Sequence, residues 1–226
     1  MYNSDMKFYK ITNEQELHNG LQYKTGLNID PIPFNPNGSC LKGGIYYTTA
    51  EHILEFLDYG PWIREVTIPV DAQTYKDPKG DKWKSDKVIL GDRRKWCTVA
   101  VMKELIKEGA DIGAEDQYSI VFSSSSGNLE VVKYLVENGA NIHVSNDMSF
   151  RSAARNGHLS VVKYLVENGA NVHSFNKEYI KHAIECEHID IDIVKYLASL
   201  TALKLLFFRL KYFVKKILFY RVFQHS

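Results

Sequence analysis

Residues 117–146 and 147–176 align without a gap at a period of 30 and match at 16 of 30 positions. The block VVKYLVENGAN at 131–141 returns unchanged at 161–171. A period of this size marks a chain built from small units, each burying its apolar face only against its neighbours. The unit reads as two helices. In the second copy, 148–156 places Phe150, Ala153 and Ala154 on one helical face, and the two alanines let an adjacent helix approach closely. Gly157 ends that helix by accepting a positive φ. A second helix over 159–168 carries Val161, Val162, Leu165 and Val166 as its apolar stripe. Gly169 stops it, and 171–176 crosses to the next unit as an extended loop.

Weaker copies flank the pair. Upstream, 101–112 (VMKELIKEGADI) matches the second helix and its Gly-Ala-Asp turn, again 30 residues before its counterpart. Residues 92–98 do not resemble a first helix, so 91–116 is expected to be a half unit serving as the entry cap. Downstream, 177–200 keeps Ile180, Ala183, His188 and the 193–197 core, with two residues inserted and Glu187 in place of the helix-ending glycine.

The segment AARNGHLSVVKYLVENGANVH at 153–173 resembles the ankyrin repeat pattern AAxxGHxxVVxxLLxxGAxVN. That resemblance implies an all-α ankyrin-repeat solenoid, with His158 and His188 bonding backbone at the junctions between repeats. Two departures stand out. The Thr-Pro-Leu-His tetrad that usually opens the first helix is Met148-Ser149-Phe150-Arg151 here and Tyr118-Ser119-Ile120-Val121 one copy earlier, and the small pair of that earlier copy is Ser123-Ser124. Without the tetrad's hydrogen bonds a less rigid stack is expected. The period of 30 also implies a shorter loop than in the usual unit of about 33 residues.

All six prolines (Pro31, Pro33, Pro36, Pro61, Pro69, Pro78) precede residue 91. Proline removes a backbone donor and disfavours helix in the residue before it. The first region, 1–90, should therefore be strands and loops, with a boundary near Gly91. Segments 7–11, 21–24, 45–48, 62–70 and 83–90 are rich in β-branched and aromatic residues and read as strands. Thr49 stands as N-cap to one helix over 50–59, with Ile53, Leu54 and Leu57 inward. The fold class is thus an α+β N-terminal domain followed by the repeats. With the stretch NGLQYKTGLNIDPIPFNPNGSCLKGGIYYT, this domain resembles the leader found before ankyrin arrays in giant DNA viruses of amoebae, mimivirus-like. The resemblance implies a protein that binds host or viral proteins, working in the host cytoplasm.

Net charge is −2 over 1–90, −3 over 91–200 and +6 over 201–226, for +1 in all. A near-neutral chain gives no reason to expect a nucleic-acid partner. Cys40, Cys97 and Cys186 are odd in number and far apart, which fits a reducing compartment. Residues 1–13 carry charges and no long apolar run, unlike a signal peptide.

Candidate chemistry is sparse. Gly43-Gly44-Ile45-Tyr46-Tyr47-Thr48 before a helix faintly resembles the NAD-contacting strand of ADP-ribosyltransferases, with Glu65 as the acid such an enzyme needs. The structural alternative is a glycine turn with Tyr46 and Tyr47 alternating between surface and core. Cys40 after Gly38-Ser39 lacks a placed base and is expected to be buried or half-exposed. His182, Cys186 and His188 lack the paired spacing of a structural zinc site. No phosphate-cradling, HExxH or paired-carboxylate motif occurs. The expectation is a protein without catalytic residues, metal or cofactor. An enzyme in the leader, targeted by the repeats, is the alternative.

Ser123 to Ser126 offers four hydroxyls, of which Ser123 and Ser124 occupy the small packing positions. The tail, 201–226, has 16 apolar residues, six basic and no acidic. Its stripe of Leu203, Leu206, Phe207, Leu210, Phe213, Val214 and Ile217 reads either as a helix capping the stack or as an interfacial membrane helix.

Solenoid residues outside the periodic core are free to vary. Comparing the two good copies places variation at Ser125-Ser126 against Arg155-Asn156, Val121 against Arg151, and Val144-Ser145 against Ser174-Phe175. By resemblance to ankyrin recognition, Ser125, Ser126, Val144, Ser145, Arg151, Arg155, Asn156, Ser174 and Phe175 are the expected contacts to a protein partner.

Overall fold

A computed structural model describes residues 6–38, 40–113, 118–174 and 191–200. The chain divides into two compact units: Met1–Ser123 with Glu130–Asn141, and Ser124–Leu129 with Ile142–Ser226.

The first unit is built on a sheet. Its strands are β1 (Phe8–Thr12), β4 (Gly26–Ile29), β5 (Ile45–Thr49), β6 (Trp62–Thr67), β7 (Thr74–Lys76), β8 (Trp83–Ser85), β9 (Lys87–Leu90) and β10 (Arg94–Lys95). Their order is β4-β9-β6-β1-β5-β8-β7, with β10 also on β6. Every pairing is antiparallel. A separate hairpin joins β2 (Leu17–His18) to β3 (Leu21–Gln22). Its turn, Asn19-Gly20, has φ of 49° and 84°, the double positive φ that two-residue hairpins need. One face of the sheet packs around Phe8, whose ring meets Tyr47 and Trp83 edge-on at 5.2 and 5.4 Å. The expected strand over 83–90 is two strands. At Asp86 the backbone N–H donates to Gln73 and the carbonyl accepts from Asp30, so β8 and β9 leave for opposite parts of the sheet.

The expected helix over 50–59 begins as α1 (Ala50–Ile53) and tightens into a 3₁₀ helix, Leu54–Tyr59. Ile53, Leu54 and Leu57 are buried as expected. Thr49 has the extended backbone of an N-cap, but its hydroxyl makes no capping bond.

The sheet does not end at residue 90. β10 lies beyond the expected boundary near Gly91, and the Trp96 indole donates to the Gly60 carbonyl at 2.9 Å. The next helix, α2 (Val99–Lys107), is fastened to the sheet's edge. Arg94 grips Glu104 at 2.6 and 2.8 Å, and the Tyr9 hydroxyl donates to Glu108. The half unit thus shares a compact body with the leader.

The remaining helices are α3 (Tyr118–Ser125), α4 (Leu129–Glu137), α5 (Val144–Arg155), α6 (Leu159–Glu167) and α7 (Ile191–Leu200). The 30-residue period reappears as one helix ending used three times. After α2, α4 and α6, Gly109, Gly139 and Gly169 take φ of 94°, 94° and 98°. The following Ala110, Ala140 and Ala170 each donate at 2.9 Å to Leu105, Leu135 and Leu165. This closure satisfies carbonyls that a helix end leaves open. Val131, Val132 and Leu135 in α4, and Val161, Val162 and Leu165 in α6, are fully buried. Phe150, Ala153 and Ala154 are buried in α5, and Ile193, Val194 and Leu197 in α7. No described helix is long and apolar enough to cross a membrane. Phe175, His182, Cys186, His188 and the tail over 201–226 lie outside the described residues.

Candidate interaction surface

The first turn of α5 sets the position of a buried carboxylate. Ser145, Asn146 and Asp147 wind left-handed, with φ of 48°, 59° and 54°, before the right-handed helix runs on to Arg155. This turn places the Asp147 carboxylate, 4% exposed, where His143 Nδ1 donates to it at 2.8 Å and the Asn171 N–H at 3.3 Å. Ser149 adds a buried bond to the Ile142 carbonyl at 3.2 Å. These bonds tie the loop, α5 and the segment after α6 together despite the missing tetrad.

At the other end of α5, Asn156 Nδ2 donates to Ser125 Oγ at 2.9 Å and to the Ser152 carbonyl. His158 Nε2 donates to the Ser125 carbonyl at 2.9 Å, the backbone-bonding role expected of it. Gly127 makes room for that ring: it has φ of +74°, and a Cβ there would stand 2.5 Å from His158 Nδ1. The two bonds bring Ser125 and Asn156, 31 positions apart, onto one ridge. Ser126 and Arg155 beside them are exposed, while Ser124, Ala153 and Ala154 turn inward. The candidate contacts therefore form two groups. Ser125, Ser126, Arg155 and Asn156 lie together at the helix ends. Val144, Ser145 and Arg151 gather at the start of α5, where Arg151 Nη2 donates to the Ser145 carbonyl at 2.9 Å. Ser174 closes a short 3₁₀ turn, Val172–Ser174.

The four-serine run is split by burial. Ser123 and Ser124 are completely buried, as packing positions require, and Ser126 is exposed. In the leader, Cys40 is exposed, which corrects the expectation of a buried or half-exposed side chain; it sits on a loop with φ of 59°. Tyr46 and Tyr47 alternate as expected, Tyr47 buried against Ser85 Oγ at 2.9 Å. Glu65 points outward from β6 and pairs with Arg94 at 3.6 Å. Tyr46, Tyr47 and Thr48, from the strand likened to an NAD-contacting one, line a cavity to which Glu65 does not contribute, so that strand and the candidate acid do not converge there. Among the described residues, no group of three or more His, Cys, Asp or Glu side chains is placed to hold a metal.

Sequence comparison agrees with the helix pairs. Residues 120–166 match the family model described as ankyrin repeats (many copies). Two ankyrin repeat proteins of Acanthamoeba polyphaga mimivirus are similar, one 40% identical over 56% of this chain and 46% of its own length, the other 33% identical over 55% and 63%. An uncharacterised protein of the same virus is 33% identical over 55% of this chain and 93% of its own length. The chain thus spans roughly half the length of the first two relatives. With its thrice-used helix ending, its junction histidine and these relatives, the chain is an ankyrin repeat protein resembling those of the giant virus.

Proposed function

We propose that the protein captures another protein through the ridge at the ends of α3 and α5, within an ankyrin solenoid acting as an interaction module without catalysis. The observation that carries this reading is the Asn156–Ser125 bond. It fixes two side chains that differ between units matching at 16 of 30 positions, beside exposed Ser126 and Arg155. The buried periodic residues hold the backbone, so these positions can vary without cost to the core. Val144, Ser145 and Arg151 extend the contact, with Ser174 and Phe175 completing it. The place of action is the host cytoplasm, in keeping with the thiols of Cys40 and Cys97.

The test is a photo-crosslinking amino acid placed at Ser126 or Arg155, with Lys79 as the control site. Crosslinks in amoebal lysate should form at the first two positions and not at the third. An Arg155→Glu/Ser126→Glu variant should lose the crosslinked partner while its thermal melt stays unchanged. Partner capture that survives the double substitution would place the contact elsewhere.

A further inference from the structure

The leader holds a cavity of about 190 Å³ between β1, β5 and the α1 segment. Its walls are largely apolar and aromatic, with Tyr23, Tyr46, Phe56 and Tyr59 among them. Among the described residues, the charged and titratable side chains at the lining include Lys10, His18 and Lys82, and no carboxylate. Lys82 is already balanced, 3.7 Å from Asp81 and 4.0 Å from Asp77. Lys10 is different. It is 9% exposed, donates to the Tyr46 carbonyl at 2.8 Å, and lies 4.8 Å from the centre of the Tyr23 ring. Asp30 is the acid whose charge reaches it, but that carboxylate accepts the Gly44 and Ile32 N–H groups at 2.7 and 2.9 Å. An ammonium enclosed this way, with one hydrogen bond to a carbonyl and no ion pair among the described residues, is an expensive thing to fold.

An anion in the cavity would offset that cost, and the rings around it set the shape of the rest. A cavity of about 150 Å³ admits benzene, so this one has space for a single ring and a carboxylate. We propose that the leader cavity binds a small aromatic carboxylate, its ring among Tyr23, Tyr46, Phe56 and Tyr59 and its carboxylate on Lys10 Nζ. This site is separate from the ridge on α3 and α5 and goes beyond the reading of the chain as an interaction module.

Benzoate is the probe, benzamide its neutral counterpart, and the full chain the protein. Calorimetric titration should show one saturable benzoate site, with benzamide weaker by at least about tenfold. Lys10→Met keeps the side chain's length and removes its charge. It should lower benzoate affinity at least about tenfold and leave benzamide binding unchanged. A readout without mutation stands beside these. Nuclear Overhauser contacts from the benzoate ring protons should reach the Tyr23 and Phe56 rings. Equal affinity for the two probes, no saturation by about 10 mM, or contacts to other residues would overturn the proposal.

Discussion

Lys10 shows how far a residue's role can stand from its appearance in the sequence. In KFYKI it is one basic residue in an alternating strand, and alternation alone assigns it no environment. β1 lies between β5 and β6 under α1, so it is buried along its whole length, and that depends on strand order. Burial pulls the Lys10 ammonium down from 10.5 to about 8, with the Asp30 charge opposing it. The folded state therefore holds fewer protons than the unfolded chain between pH 8 and 10.5, and stability rises with pH across that window. Below it the whole penalty applies, about 3 kcal/mol. Lys10→Met should raise the unfolding free energy at pH 7 by about 1–3 kcal/mol after loss of the Tyr46 bond, and the gain should shrink towards pH 10. Urea titrations of both proteins at the two pH values check this; a pH-independent gain would show that the ammonium carries no such penalty. Asp147 was equally hidden. Its function needs a left-handed turn at 145–147 and a partner at Asn171, neither of which a helical pattern reports.

At the scale of elements, legibility followed locality. The ends of α2, α4 and α6 were readable because a helix ending is written within six residues, with glycine at the one position that needs a positive φ. The strands fared less evenly. β1, β5 and β6 carry long β-branched and aromatic runs, whereas β7 and β10 have three and two residues and exist only because a neighbour offers a ladder. The β2–β3 hairpin carries its own local signal in Asn19-Gly20, although its strands have only two residues each. The glycines also separate two kinds of cost. At Gly139 and Gly169 a Cβ would meet nothing within 4 Å, so alanine there costs only backbone strain, about 1–2 kcal/mol. At Gly127 the same change adds a clash with the His158 ring and dislodges it from the Ser125 carbonyl, for a total of about 3 kcal/mol. Thermal melts of the three variants should rank Gly127→Ala lowest. Equal melting points would mean that His158 moves aside freely and holds nothing.

Across the whole molecule, the periodic half announced itself because its units repeat, while the leader depends on one polar pin that no periodicity reveals. Arg64 on β6 grips Glu16 at 2.7 and 2.8 Å and reaches the Gly91 carbonyl at 2.5 Å and Thr25 Oγ1 at 3.2 Å. Thr12 Oγ1 donates to the same carboxylate at 3.0 Å, and Arg93 stands 3.5 Å away. Strand β1, the segment before the hairpin, β6 and the exit from β9 thus meet at one ion pair, with Arg64 and Glu16 3% and 5% exposed. The Arg64 hydrogen bonds hold the Glu16 carboxyl below its usual 4.5, against the opposing effect of burial. A depressed acid contributes stability above its unfolded value and loses it as pH falls through its folded one. The intact chain should therefore lose stability below pH 4.5 more steeply than Glu16→Gln, and the two curves should converge at the acid end. Arg64→Ala leaves the buried carboxylate with only the Thr12 hydroxyl and the more distant, half-exposed Arg93, at a cost of about 3–5 kcal/mol near neutral pH. That loss should recede in the Glu16→Gln/Arg64→Ala double variant, because the uncompensated charge is gone. If chemical denaturation finds the two changes simply additive, the pair is not what holds these segments together, and the apolar cluster around Phe8 carries the leader alone.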